Sequence, residues 1–330
     1  MITIELQPGD LENIRFAFSP LIELTESYCV ILRAQKQAPF SAWIEEMQRA
    51  LYGYEFPYLD AVIPPRHYMA DFVTPTPTST QSTLEDELAR VAATPPDVIR
   101  KNILKAIQVG GETETRRHFL VNPQEAMECL LQELRLYWQL ALAHHWERIR
   151  SVLEGDVLFN AREIALYGVD HMFENISSEW LKYRDSVIYL NKKKPLCQDD
   201  YAYRLEGSAI YLVPAVFGRS HLSWQIVPEW KPMLIYGARG SGLWYRAEVP
   251  EPDKALRMAL GTGRAKVLLA LKSPAHTAEL AQRLKLTSGA ISQHLQRLHH
   301  AGLVESHRSS HRVYYRLTPR GEKLVRLFTE

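Results

Sequence analysis

Cysteine is scarce: Cys29, Cys129 and Cys197 are the three in 330 residues, an odd number spread along the chain with no CxxC or comparable ligand spacing. A disulfide framework is therefore excluded as the organising device, and a reduced, cytosolic setting is expected. No uninterrupted apolar run approaches the roughly 18 residues that a membrane-spanning helix needs. The opening MITIELQPGDLENI has neither a basic flank nor an apolar stretch before a cleavage site. A cytoplasmic protein without membrane association is the expectation. Enzyme signatures are missing too: there is no HExxH, GxSxG or Walker loop, and no Cys/His pair at metal spacing. Neither catalysis nor a metal or other cofactor is expected. The glycine-rich GARGSG, Gly237 to Gly242, opens no helix and reads as a turn, and the Lys192 to Lys194 run reads as a solvated loop. His144, His145 and Glu147 do not share one helix face, so they read as structural.

What the chain does have is length for about two domains and an uneven charge. Residues 254–330 hold 14 Lys or Arg against 4 Asp or Glu, net +10, which leaves net −9 for the rest. A basic final quarter is the footprint of a surface that neutralises phosphates, whereas the acidic remainder would repel a duplex. All seven tryptophans lie in the acidic part. An aromatic-rich domain joined to a DNA-binding module is where a pocket for a small organic effector would be built.

The patterns along the chain predict an α+β fold. A strand at Met1 to Leu6 precedes helices over Pro20 to Ala34 and Phe40 to Gly53. A Pro/Ser/Thr-rich stretch from Pro64 to Thr83 reads as an extended loop, ended by a capping box at Ser82 and Glu85. Helices resume through LEDELARVAA, PPDVIRKNILKAI and the long NPQEAMECLLQELRLYWQLALAHHWERIRSVL. Residues 20 to about 180 are thus mainly helical. From about 186 to 245, short β-branched and aromatic runs such as SVIYL, YAYRL and SAIYLVPAVF predict a small antiparallel sheet. Residues 1–250 form one domain on this reading, a sensor or dimerisation domain. EVPEPD supplies a linker near Pro250 to Asp253, and 254–330 form a winged helix-turn-helix.

That last assignment carries the function. Thr277 and Thr287 are placed to cap two successive short helices joined by a brief turn. On a 3.6-residue period Ile291, Leu295 and Leu298 face inward, leaving Thr287, Ser288, Gly289, Ser292, Gln293, Gln296 and Arg297 outward as base-edge and backbone contacts. His294 borders the buried face and reads first as a packing residue, while His299 and His300 suit either helix capping or DNA contact. A hairpin follows, Leu303 to His307 and Arg312 to Leu317, with Val313, Tyr315 and Leu317 expected inward and Arg312, Tyr314 and Arg316 outward. Its tip offers Arg308, Ser309, Ser310 and Arg312 to phosphates or the minor groove. Leu256, Leu260, Leu324 and Phe328 flank the motif at helical spacing and are the candidate dimer contact. Residues 251–330 alone are expected to recognise the operator.

Residues 262–320, with TAELAQRLKLTSGAISQHLQRLHHAGLVES and VYYRLTPRG, resemble the winged-helix domain of the ArsR family of bacterial regulators. The resemblance implies a homodimer, a palindromic operator in double-stranded DNA and repression relieved by a signal. It also implies DNA contact at Ser288, Ser292, Gln293, Arg297 and the wing. Two departures stand out. The first helix of the motif, ELAQRLK, lacks the cysteine box of metal-sensing members, so thiolate metal sensing there is excluded. Ser309 and Ser310 stand where the wing tip usually has glycine. Residues 1–250, with FSPLIELTES, DFVTPTPTSTQSTLEDELARV and YGARGSGLWY, are similar to an uncharacterised domain that precedes ArsR-like motifs in regulators of Gram-positive bacteria. An enzyme, or a scaffold that binds another protein through residues 1–250, is the alternative to a sensor.

Overall fold

In the computed structural model, which describes residues 2–7, 9–33, 40–64, 68–176, 180–191, 201–218, 222–241, 245, 252–271, 275–309 and 312–328, the apolar start of the chain forms strand β1 (Ile2–Glu5). A second strand, β2 (Ile14–Phe16), follows it. The chain divides into two compact units: Met1–Glu147 with Val157–Ala238, and Arg148–Asp156 with Arg239–Glu330. Pro250, at the start of the expected linker, lies outside the described residues, as do Cys197 and Lys192 to Lys194.

The first unit is rich in helices: α1 (Pro20–Leu32), α2 (Ser41–Ala50), α3 (Pro57–Val62), α4 (Leu84–Ala92), α5 (Pro96–Gly110), α6 (Glu114–Val121) and α7 (Pro123–Ala141). Proline opens α1, α3, α5 and α7, where a missing N–H costs nothing and the fixed φ suits the first turn. Two buried glutamate carboxyl groups organise α1. Glu87 accepts from the Ser19 hydroxyl and the Leu21 amide at its N-terminus, and Glu23 accepts the amides of Val216 and Phe217. The long helical run expected from Asn122 to Leu153 is in fact broken. Leu142 leaves helical geometry and a turn over 142–145 separates α7 from α8 (Trp146–Ile176), which is itself interrupted at Gly168 with φ 88°. The capping box before α4 sits one residue later than expected, with Thr83 and Asp86 exchanging side-chain and backbone bonds. Both Ser82–Glu85 and Thr83–Asp86 satisfy the sequence pattern, and the geometry selects the second.

The Pro/Ser/Thr-rich loop is buried along its middle and exposed towards its end, at Thr78, Gln81 and Thr83. Ala70 and Phe72 through Pro77 are buried around a short 3-10 turn, Asp71–Val73, and the Thr76 hydroxyl donates to the Lys231 carbonyl at 2.6 Å.

The expected small antiparallel sheet is corrected to two mixed, four-stranded sheets. One has the order β3-β4-β1-β5, built from β3 (Leu181–Arg184), β4 (Val187–Leu190) and β5 (Tyr201–Arg204), with β1 antiparallel to β4 and parallel to β5. The other has the order β2-β6-β8-β7, from β6 (Ile210–Ala215), β7 (Ser223–Gln225) and β8 (Met233–Gly237), with β6 parallel to both β2 and β8. Every residue of β6 is buried. A strand covered on both faces reads as a continuous apolar run, the mark of parallel pairing, where a half-exposed antiparallel strand would alternate.

In the second unit Asp253 caps α9 (Lys254–Leu260) by accepting the Ala255 amide. Then come α10 (Thr262–Ala270), β9 (Ala275–His276), α11 (Thr277–Leu284), α12 (Ser288–His300), β10 (Val304–Ser309), β11 (Arg312–Leu317) and α13 (Pro319–Arg326). The three strands form an antiparallel sheet in the order β10-β11-β9. Their common core joins Leu256, Val267, Leu268, Leu280, Ile291, Leu295, Leu298, Leu303, Leu317 and Val325. Residues 148–156 of α8 belong to this unit: the Arg239 amide donates to Asp156 at 2.8 Å, and the Arg239 guanidinium reaches Glu322 at 3.1 Å.

Candidate nucleic-acid interface

The segment α11–turn–α12 is set by its caps. The first cap is not Thr277, which is already inside the helix; the ring Nδ1 of His276 accepts the Glu279 amide at 3.3 Å instead. Thr287 caps α12 as expected, accepting the Ala290 amide at 3.2 Å. Between the helices Lys285 takes a left-handed φ of 53°, turning the chain within three residues. At the far end His300 Nδ1 meets the Gln296 carbonyl at 2.8 Å, so His300 ties off the last turn.

Helix α12 is divided cleanly between two faces. Ile291, Leu295 and Leu298 are buried in the unit's core, whereas Ser288, Gly289, Ser292, Gln293, Gln296 and Arg297 are exposed, as is Thr287. The outward set thus forms one contiguous polar surface with a single cation near its C-terminal end. Gly289 has no intramolecular reason to be glycine: a Cβ built there meets nothing within 4 Å. His294 is a packing residue. Its ring lies where a Cβ on Gly263 would sit, with Nε2 only 2.5 Å from that position. Burial, then the charges of Arg264 and Arg297, hold its pKa below the usual histidine value, which keeps the ring neutral. The interlock fixes α12 against the start of α10.

The wing is a hairpin pairing Val304 with Leu317 through Ser309 with Arg312. Arg308 and Ser309 end its first strand and Arg312 begins its second; Ser310 lies outside the described residues. Its expected facing needs correction. Tyr314 is buried and Val313 exposed, the reverse of the sequence pattern, while Tyr315 and Leu317 do pack on the core. The Tyr314 hydroxyl donates to Glu154 at 2.8 Å and its ring meets His276 edge-on. Arg316 is likewise drawn in, bonding Glu305 on the paired strand at 2.8 Å.

One of the four expected dimer residues is ruled out. Leu256 is 1% exposed within the unit's own core, and Leu260, Leu324 and Phe328 are partly buried against that same core. Leu256 is therefore unavailable to a partner chain. The exposed apolar side chains on these flanking elements are Met258 and Leu327, at 78% and 77% exposure. Sequence reasoning passed over both, because helical spacing marks which residues share a face but not which face the chain itself covers. It also missed Gly263, whose only sign was a glycine in the first turn of a helix.

Residues 262–306 match a family model described as bacterial regulatory protein, arsR family. No curated protein matches the chain, and no solved structure does. The matched segment spans α10, β9, α11, α12 and the start of β10, so the chain carries an ArsR-type helix-turn-helix, a DNA-binding domain of transcription regulation. Among the described residues no helix is long and apolar enough to cross a membrane.

Proposed function

We propose that the protein is a cytoplasmic, non-enzymatic transcriptional repressor that binds a palindromic operator as a homodimer and releases it in response to a small organic effector. The observation that carries this reading is the polar face of α12: seven exposed residues opposite three buried ones, delivered by a three-residue turn in a unit of net positive sequence. Such a face admits close approach to the major groove, where Gln and Arg read base edges bidentately. One such helix reads a half-site, and a two-fold partner completes the operator. Met258 and Leu327 are the residues proposed for that partner contact, since exposed apolar side chains gain from being covered.

The effector role falls to the first unit. A winged helix needs no mixed sheets or eight helices to bind DNA, and the acidic, tryptophan-rich part adds no attraction for phosphate. Selection of bound sequences from a random DNA pool by the purified protein tests the reading. A two-fold symmetric site is the expected result; enrichment of no sequence contradicts it.

A further inference from the structure

The buried Pro/Thr segment holds a cluster of polar groups with no part in DNA binding. Asp71, on the 3-10 turn, lies beside Tyr68, whose single hydroxyl proton is within reach of both the Asp71 carboxyl group and Asn102 Oδ1, the latter at 2.9 Å, and can go to one of them at a time. Asn102 Oδ1 also accepts the Asp71 amide at 2.6 Å, fixing the turn to α5. From β7 comes Gln225, 6% exposed, whose Nε2 donates to the Asp71 carbonyl at 2.7 Å. Its Oε1 is buried and accepts nothing among the described residues. Lys105, one turn along α5 from Asn102, sets its ammonium 4.0 Å from the centre of the Tyr68 ring. The nearby carboxylate of Glu229 is already matched by Lys101 at 2.6 Å, whereas Asp71 shows no such ion pair among the described residues.

Three acceptors border the same 3-10 turn: the Asp71 carboxyl group, the Gln225 amide oxygen, which has no donor among the described residues, and the negative face of the Tyr68 ring. Leaving a buried acceptor unbonded costs about 1–3 kcal/mol, so an arrangement that does so invites a donor. The group that answers all three is an ammonium, which has three N–H donors, no acceptor and an affinity for aromatic faces. The Lys105 side chain meets only part of this demand, since its ammonium covers the ring and leaves Gln225 Oε1 unsatisfied. A lysine stem is flexible and the Lys105 side chain is only half-buried, so it can withdraw.

We propose that Tyr68, Asp71 and Gln225 form a seat for the ammonium group of a small organic amine, and that Lys105 is the resident cation such an amine displaces. The proposal rests on reading the first unit as the effector-sensing part and names the chemical class of the effector. Calorimetric titration of the full-length protein with n-butylamine, against n-butanol as a neutral isostere, tests it. Saturable binding of the amine and none of the alcohol is expected. Lys105→Met should tighten amine binding by about tenfold, and Asp71→Asn should weaken it by at least about tenfold. Circular dichroism checks that each variant is folded, and Lys105→Met, a change at a half-exposed side chain, keeps the test open if Asp71→Asn unfolds. Equal behaviour of amine and alcohol, or an amine affinity indifferent to Lys105→Met, overturns the seat. Operator binding measured with and without n-butylamine separates the two readings. An amine that binds the seat but leaves operator affinity unchanged contradicts sensing and not the seat, whereas no saturable amine binding removes the seat and leaves sensing to another site.

Discussion

The hydroxyl of Tyr314, on the second strand of the wing, donates at 2.8 Å to a carboxylate oxygen of Glu154, a residue 160 positions earlier in the chain. Tyr314 is 5% exposed as a result. The winged helix is therefore not built from the C-terminal quarter alone: residues 148–156 of α8 complete it, with Arg150 holding Glu154 from one side at 2.9 Å.

A phenolic hydrogen bond to a partly buried carboxylate contributes about 1.5–3 kcal/mol. Tyr314→Phe should lower the stability of the DNA-binding unit by an amount in that range, read by chemical denaturation followed at the wing. A chain beginning at residue 251 lacks Glu154, Asp156 and Arg239 together and should be less stable still. Denaturation of that fragment at the same denaturant concentration as the full chain would show residues 148–156 to be dispensable.

On α12, Gln293 and Arg297 stand exposed with no structural duty visible in the unit, since the core beneath them is supplied by Ile291, Leu295 and Leu298. Replacing either by alanine should leave the melting temperature nearly unchanged and cost roughly 1–3 kcal/mol on the selected operator if a base edge is read. Fluorescence anisotropy on operator and scrambled duplexes distinguishes the roles. Equal losses on both would make them phosphate contacts.

The faces of α12 were legible because a lone helix with three apolar residues on a 3.6-residue period has only one way to pack. The wing was not. Alternation along Arg312 to Leu317 assigns one face to the core, but here residues from 148–156 cover part of the other, and a segment that distant leaves no local trace. Strand direction in the first unit was hidden for a related reason. Parallel partners such as β1 and β5 are brought together by the intervening chain, and short apolar runs look alike in either direction. The buried course of Phe72 to Pro77 was missed because Pro and Thr favour turns and surface loops, while a backbone bond that lets them be buried comes from a side chain elsewhere, Arg90 donating to the Thr76 carbonyl.

Glu23 and Glu87 give the first unit a distinctive pH response. Burial, set against their hydrogen-bond donors, raises Glu23 to about 8 and Glu87 to about 7. A carboxyl group whose folded pKa exceeds its unfolded value binds protons more readily in the native state. Its stabilisation is full below the unfolded value of 4.5 and is lost as pH rises through the folded one. The melting temperature should therefore fall between pH 5 and pH 8. In Glu87→Gln the amide keeps an acceptor for Ser19 and Leu21 but cannot ionise, so the loss of unfolding free energy over this range should shrink by on the order of 3 kcal/mol, and the fall in melting temperature with it. A melting temperature that rises over this range would contradict the assignment.

Gly289 sets fold stability against DNA binding within a single residue. It lies in the first turns of α12 on the exposed face, its backbone is not among the left-handed glycines, and a Cβ there would enter open space. Nothing inside the protein thus requires glycine. Glycine in a helix interior nevertheless costs about 0.5–1 kcal/mol relative to alanine, through the greater freedom of the unfolded chain. A residue that lowers stability and serves no internal contact is explained if an outside surface must approach the backbone more closely than a methyl group permits. Major-groove binding by α12 supplies such a surface, with Ser292, three residues on and also small, lying on the same face. Gly289→Ala should raise stability by about 0.5–1 kcal/mol in the absence of DNA and weaken binding to operator and random duplex alike, because the methyl group holds the whole helix away. Thermal denaturation and anisotropy on the same preparation give both numbers. A variant that gains stability and binds the operator as tightly as the parent would place the closest approach of DNA elsewhere on the helix.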